Sequence, residues 1–197
     1  SKIFLRAGLF LPKPLKVYYT ISNQCNFRCQ MCSHWKRGLD EDEKKYLSQE
    51  KVQNIIDEMA DLGIKEFGIS GGEPLLFWPK VKNLLRFANQ KKLYTHFVTN
   101  GSLLTCEIIQ EYNQIGGGHI SISLDAIGEA HDKLRGFKGA YLGVEKVLKI
   151  FSENKFENIN LKINLVLSDK NLDEVLKVVE KAIEAEAMIF IQPYDLY

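Results

Sequence analysis

The sequence predicts an α/β fold of parallel strands, and two observations carry that prediction. Six short apolar runs alternate with segments of helical spacing along the whole length. Strict β-α alternation implies parallel strands joined by right-handed crossovers, in either an open doubly wound sheet or a barrel. The unusual residues also gather just after the strand-like runs: Cys25, then Gly71-Gly72-Glu73-Pro74, then Asn100-Gly101, then Asp125. Parallel α/β folds bind ligands at the carboxyl ends of their strands, so these four loops are expected to converge on one mouth.

The strand-like runs are Leu15 to Ser22, Lys65 to Ser70, Leu93 to Thr99, His119 to Leu124, Ile159 to Leu167 and Ala187 to Gln192. Between the first two, Val52, Ile55, Ile56 and Met59 repeat at i, i+3, i+4, i+7, with Ser48 as a cap and Gly63 as a stop. A second helix starts at Pro79, a favourable first-turn residue, and carries Val81, Leu84, Leu85 and Ala88 on one face. A third begins at Thr105 with Ile108, Ile109 and Tyr112, and a fourth shows Val144, Val147, Leu148 and Phe151. The fifth opens on Asn171 with Glu174 three residues later, a capping-box-like start, followed by Leu172, Val175, Leu176 and Val179. These stripes read as core faces.

With 197 residues, 45% of them hydrophobic, the chain can bury one sizeable core, which excludes disorder. A formal net charge of +1 offers no electrostatic pull toward nucleic acid, a membrane surface or a polyanion. No stretch approaches the roughly 20 apolar residues of a spanning helix. The opening Ser1 to Pro14 lacks the apolar block and cleavage site of a secretory signal, so the expected location is cytoplasmic. Residues 1–14 read as a lead-in segment and 15–197 as one core domain. Lys36 to Lys45 reads as a solvated loop of balanced charge.

In a reducing compartment, clustered cysteines point to metal binding or catalysis rather than to disulfides. Cys25-Asn26-Phe27-Arg28-Cys29-Gln30-Met31-Cys32 has C-x3-C-x2-C spacing. Three thiolates so close repel one another unless a cation holds them, and soft sulfur selects iron-sulfur clusters, zinc or copper(I). Three cysteines on a four-iron cluster leave one iron open to a substrate or cofactor, whereas a fully ligated cluster would only transfer electrons. The alternatives are a zinc knot with His34 as fourth ligand, or an electron-transfer module, on a TIM-like scaffold without catalysis. Cys106 lies at a helix start and reads as a small buried hydrophobe. At Gly71-Gly72-Glu73-Pro74, two glycines let backbone approach a ligand closely, and the carboxylate can hold a cationic group.

CNFRCQMC after the first strand, SGGEP after the second, VTNG after the third and SLDA on the fourth resemble the radical S-adenosylmethionine enzymes, from Val17 to about Asp195. His131 to Gly136 is similar to a segment of that superfamily's molybdopterin-biosynthesis and peptide-modifying (SPASM-type) branch. The resemblance implies a partial (βα)6 TIM-like barrel. It implies that Cys25, Cys29 and Cys32 ligate three irons of a [4Fe-4S] cluster, with S-adenosylmethionine chelating the fourth. Gly71, Gly72 and Glu73 would hold the methionyl amino group. Thr99, Asn100 and Ser123 would make polar contacts to the methionyl and ribose parts, and Arg135 would reach the cofactor carboxylate. The implied activity is reductive cleavage of S-adenosylmethionine to methionine and a 5′-deoxyadenosyl radical, which abstracts hydrogen from a substrate. The electron would come from a low-potential donor such as flavodoxin or ferredoxin.

Plainer uses exist for each: a strand residue at Ser123, a surface cation at Arg135, a turn at Asn100-Gly101. Met31 replaces the aromatic residue that many relatives carry before the last cysteine. Gln192-Pro193-Tyr194 is a candidate adenine or substrate wall, while Val166-Leu167-Ser168 marks no clear adenine contact. His34, Trp35, Tyr94, His96 and Tyr194 could line a substrate pocket, although such side chains near strands more often belong to the core. The chain stops just past the sixth strand, so it is expected to be part of a longer protein, with an apolar face and a ladder edge left open.

Overall fold

The protein is described here by a computed structural model covering residues 14–37 and 46–194. Most of the Ser1 to Pro14 lead-in and of the Lys36 to Lys45 loop therefore lies outside the described residues.

Six strands, β1 (Lys16–Thr20), β2 (Glu66–Ser70), β3 (Tyr94–Thr99), β4 (Gly118–Ser123), β5 (Ile159–Leu167) and β6 (Met188–Pro193), form one sheet in sequence order. Every neighbouring pair is parallel. The sheet curls into a half-barrel, the architecture expected from β-α alternation and from the resemblance. Each strand lies within two residues of the run that predicted it.

Helices α1 (Gln49–Asp61), α2 (Trp78–Gln90), α3 (Cys106–Gln114), α4 (Glu129–Arg135), α5 (Ala140–Glu153) and α6 (Val175–Glu184) connect the strands. Ser48 caps α1 by accepting the Lys51 amide, as its position predicts, and Thr105, read from the sequence as a helix start, caps α3 by accepting the Ile108 amide. Gly63, at φ +77°, follows the α1 C-cap. The second helix begins one residue earlier than expected, at Trp78, behind a 3-10 turn over Pro74–Phe77.

Two expectations are corrected. Asn171 forms no capping bond to α6. Its Nδ2 instead donates to the Asp125 and Val166 carbonyls at 2.9 Å, and its Oδ1 accepts the Ser168 amide at 2.8 Å. The amide is used to tie the exits of β4 and β5 together, so α6 starts only at Val175, after a 3-10 turn over Leu172–Glu174. Cys106 is half-buried rather than buried, because it occupies the first turn of α3 with its thiol beside the Gln110 amide at 3.5 Å.

Residues alternate along the strands. Phe67, Ile69, Phe97, Ile120, Ile122, Ile163 and Leu165 face outward and pack under Ile56, Leu84, Leu85, Ile109, Val144, Val147 and Val178 of the helices. Parallel sheets covered on both faces read as apolar throughout. Among the described residues only the outer face is covered, and the inner face carries Lys16, Tyr18, Ser70, Ser123, Lys162 and Asn164. Leu176, Ile183 and Ile191 remain exposed on α6 and on the edge strand β6.

Candidate active site

The loops leaving β1, β2, β3 and β4 meet at one end of the half-barrel. They surround a cleft of about 410 Å³ lined by Cys25, Cys29, Met31 and Cys32 on one side. Gly71, Gly72, Thr99, Asn100, Ser123 and Arg135 also line it. Val166, Gln192, Pro193 and Tyr194 close the end toward β5 and β6. The mouth predicted from four separate loops is therefore a single space, of a volume typical for small-molecule sites.

Backbone contact holds the cysteine loop against β2. The Gly72 amide donates to the Ser22 carbonyl at 2.7 Å and the Glu73 amide to the Gln24 carbonyl at 2.8 Å. A Cβ on Gly72 would lie 1.9 Å from the Gln24 carbonyl oxygen, and one on Gly71, whose φ is +125°, would lie 2.5 Å from that of Ser22. Both glycines are thus required by loop-against-loop packing, a use that the sequence alone did not distinguish from close approach to a ligand.

Glu73 does not line the cleft. It is 1% exposed, and its Oε1 accepts from the Leu75 amide at 3.0 Å and from the Thr99 hydroxyl at 2.8 Å, while its Oε2 accepts the Asn100 amide at 2.8 Å. Burial raises its pKa, and the three donors oppose that rise. The carboxylate clamps the exit of β3 to the exit of β2. Asn100 extends the clamp: its Nδ2 donates to Asn26 Oδ1 at 2.8 Å and lies 4.0 Å from the Cys25 sulfur, and its Oδ1 accepts from Ser102.

The other side of the cysteine loop rests on α4. The Gln30 amide donates to the Leu134 carbonyl at 2.9 Å, and the Phe27 and Phe137 rings stack at 4.4 Å. Arg135, 8% exposed, sits with one guanidinium nitrogen 4.0 Å from the Cys29 sulfur and another 2.7 Å from Asp125 Oδ2. The contact with Asp125 is an ion pair rather than an aligned hydrogen bond, and Arg135 Nε is buried without a partner among the described residues. Asp125, fully buried, also accepts the Val166 amide at 2.9 Å on Oδ1, and its own amide donates to His131 Nδ1 at 3.2 Å. Burial pushes the Cys25 and Cys29 thiols upward, with the Phe27 amide opposing at Cys25 and Arg135 opposing at Cys29.

His34, which a zinc knot needs, does not line the cleft, and its Nδ1 lies 3.0 Å from Asn23 Oδ1. Among the described residues, no three His, Cys, Asp or Glu side chains are arranged to hold a single metal ion. Of the five aromatic and His residues with pocket potential, Tyr194 lines the cleft and His96 is buried behind the sheet's inner surface.

The sequence profile of the Radical SAM superfamily matches residues 19–182. The chain belongs to that superfamily. It is 31% identical over 180 residues to the AdoMet-dependent heme synthase of Methanosarcina barkeri, covering 90% of this chain and 49% of the relative. It is 30% identical over 183 residues to the PqqA peptide cyclase of Ruegeria pomeroyi, covering 90% of this chain and 46% of the relative. The chain thus spans about half the length of the curated relatives it matches. In fold, this radical SAM domain resembles Streptococcus suis SuiB bound to S-adenosylmethionine, with a TM-score of 0.77 at 18% identity, over 98% of this chain and 42% of that one. It also resembles anSMEcpe with bound AdoMet, with a TM-score of 0.68 at 21% identity, over 93% and 52%.

Membership implies a [4Fe-4S] cluster and S-adenosylmethionine, and the residues present suit both. Three soft thiols line the cleft, and the buried Nε of Arg135, which also lines it, lacks an acceptor that a carboxylate would provide. Of the residues that make this site, Asp125, Asn26 and Phe27 were not picked as site residues from the sequence. Asp125 lies inside the SLDA motif and was visible as a strand terminus, but its burial and its Arg135 partner are matters of tertiary contact. Among the described residues no helix is long and apolar enough to cross a membrane.

Proposed function

We propose that residues 15–197 form the S-adenosylmethionine-cleaving core of a radical enzyme, with Cys25, Cys29 and Cys32 as cluster ligands. The supporting observation is the meeting of three thiols with four strand exits around one cleft. When bound, the cluster and S-adenosylmethionine supply one-electron reductive cleavage and a carbon-centred radical able to take hydrogen from a substrate. The chain's own residues position and shield. Arg135, held by Asp125, places positive charge beside Cys29, which favours the thiolate form, and its free Nε offers a carboxylate contact. Ser123 offers its hydroxyl to the methionyl and ribose parts, and Thr99 and Asn100, whose side chains are held by Glu73 and by Asn26 and Ser102, line the cleft beside them. Glu73 acts first as a clamp on Thr99 and Asn100, and the exposed edge of the Gly71-Gly72 backbone meets the methionyl group. Met31 and Tyr194 exclude water from the two ends of the cleft. A low-potential donor such as flavodoxin or ferredoxin supplies the electron.

The test uses the full-length protein reconstituted anaerobically. It should bind about four irons and form 5′-deoxyadenosine with dithionite, while Cys29→Ala does neither. Iron binding that survives loss of Cys29, with no product, overturns the proposal. A brown cluster indifferent to S-adenosylmethionine supports the electron-transfer alternative. The relatives' names span heme synthesis and peptide cyclisation, so the substrate is read from the half-barrel itself.

A further inference from the structure

A second cavity of about 730 Å³ continues from the cleft along the inner face of the half-barrel and shares Ser70, Ser123 and Arg135 with it. Away from the cleft its wall is formed by Lys16, Tyr18, Lys162, Asn164 and Phe190, and among the described residues no carboxylate lines it. Three cations face this space. Lys16 is neutralised by Glu66 at 2.9 Å and Arg135 by Asp125 at 2.7 Å. Lys162 makes no ion pair or hydrogen bond among the described residues, and its ammonium lies 4.5 Å from the centre of the Phe190 ring. Burial, reinforced by the charge of Lys16 and opposed by that of Glu66, holds Lys162 below the ordinary lysine range.

The surroundings are as short of partners as the lysine. Asn164 Oδ1 is buried with none, and Asn164 stands on the same strand face two residues along. His96, only 2% exposed and edge-on to Tyr18 at 4.7 Å, has neither ring nitrogen satisfied. Buried polar groups are nearly always hydrogen-bonded, so the unsatisfied Asn164 oxygen beside a lysine with no ion-pair partner marks a place where polar ligand groups belong. The uncompensated charge is one unit, which matches a single carboxylate better than a dianionic phosphate. Lys162 stands four residues before Val166, which lines both the cleft and this cavity, so their backbone positions are about 13 Å apart at roughly 3.3 Å per residue.

We propose that the substrate is an elongated molecule carrying a carboxylate, that Lys162 anchors that carboxylate in the second cavity, and that the unpartnered Asn164 Oδ1 beside it accepts from a hydrogen-bond donor of the same molecule, while the reacting carbon lies in the cleft. The proposal rests on the cleft being the reaction centre. The same chemistry would serve an acidic residue of a peptide or the acid arm of a small molecule.

The test is a binding measurement on the full-length protein, with its lysines dimethylated using 13C-formaldehyde so that each keeps its charge and gives an NMR signal. The Lys162 signal is assigned by its loss in Lys162→Arg. Hexanoate, a capped peptide with one glutamate, and inorganic phosphate are titrated separately. Hexanoate, the peptide or both should move the Lys162 signal saturably at concentrations that leave exposed Lys149 unmoved. Response to one alone identifies the source of the carboxylate. Lys162→Met, read at Lys16 in the same cavity, should bind the active probe at least about tenfold more weakly, the loss expected for a charge-assisted hydrogen bond. A Lys162 response no larger than that of Lys149, an equal response to phosphate, or unchanged binding in Lys162→Met overturns the proposal. No turnover is required. A failed titration in protein that still forms 5′-deoxyadenosine removes the carboxylate subsite alone, and an intact titration without 5′-deoxyadenosine removes the proposed reaction alone.

Discussion

Replacing Gly72 with alanine probes the packing that holds the cysteine loop. The added methyl would sit 1.9 Å from the Gln24 carbonyl oxygen and 2.4 Å from its carbon, where ordinary contact begins at 3.4 Å. The obstacle is backbone, so no side chain can swing away, and Gln24 immediately precedes Cys25. The loop must retreat by about 1.5 Å, which breaks the Gly72-to-Ser22 and Glu73-to-Gln24 hydrogen bonds. Two lost backbone bonds at about 1 kcal/mol each, plus overpacking of about 1–3 kcal/mol, give a destabilisation of about 3–5 kcal/mol. For a domain of this size that is a fall in Tm of about 6–20 °C. Because Cys25 moves with the loop, iron incorporation should fall as well. The assay pairs thermal unfolding of the apoprotein with iron and sulfide analysis after anaerobic reconstitution. Gly63→Ala serves as the control, because a Cβ there meets open space and only the strain of its φ of +77° is added. A Gly72→Ala protein that melts with the wild type and loads the same iron would refute the reasoning.

Two further outcomes are expected. Asp125→Asn keeps an acceptor for the Val166 amide but leaves the Arg135 cation buried without its counter-charge, which should cost about 3–5 kcal/mol in urea unfolding. Adding Arg135→Met should recover part of that loss, and a double variant no more stable than the single would count against a buried ion pair. The buried rings of His96 and His131 have pKa values lowered to about 3, chiefly by burial. Between pH 6.5 and 3 the unfolded chain therefore binds protons that the folded chain refuses. Each histidine's contribution is complete above pH 6.5 and is lost on acidification by about 1.4 kcal/mol per pH unit. His96→Phe keeps the ring contact with Tyr18, so the drop in stability between pH 7 and pH 5 should shrink while stability at pH 7 is retained; an unchanged drop would contradict the burial argument.

Several features were legible because they are local. The Ser48 cap and the start of a helix at Thr105 are read from single residues, and the strand that carries Ile120 and Ile122 from a short apolar run. Helix α4 was not legible as a helix. Its seven residues, Glu129–Arg135, are too few to build a periodic stripe, and only its motif drew notice. Asn171 illustrates the opposite failure, since its sequence context fits a capping box while its amide is taken by Asp125 and Val166 from two other loops. Glu73 was legible as a site residue from the GGEP motif, but its direction was not. The Thr99 hydroxyl and the Asn100 amide that claim it lie 26 and 27 residues away.

By itself, the sequence determined the β-α alternation, the apolar helix faces and three thiols on one short loop, because hydrophobic period and ligand spacing act over a few residues. Tertiary structure alone decided which polar atoms meet. It set Arg135 beside Cys29 across 106 residues, pressed Gly72 against Gln24, and left Lys162 facing an inner wall without a counter-charge. Those meetings depend on strand register and on the curl of the sheet, which arise from burying the whole outer face at once and from no single segment's pattern.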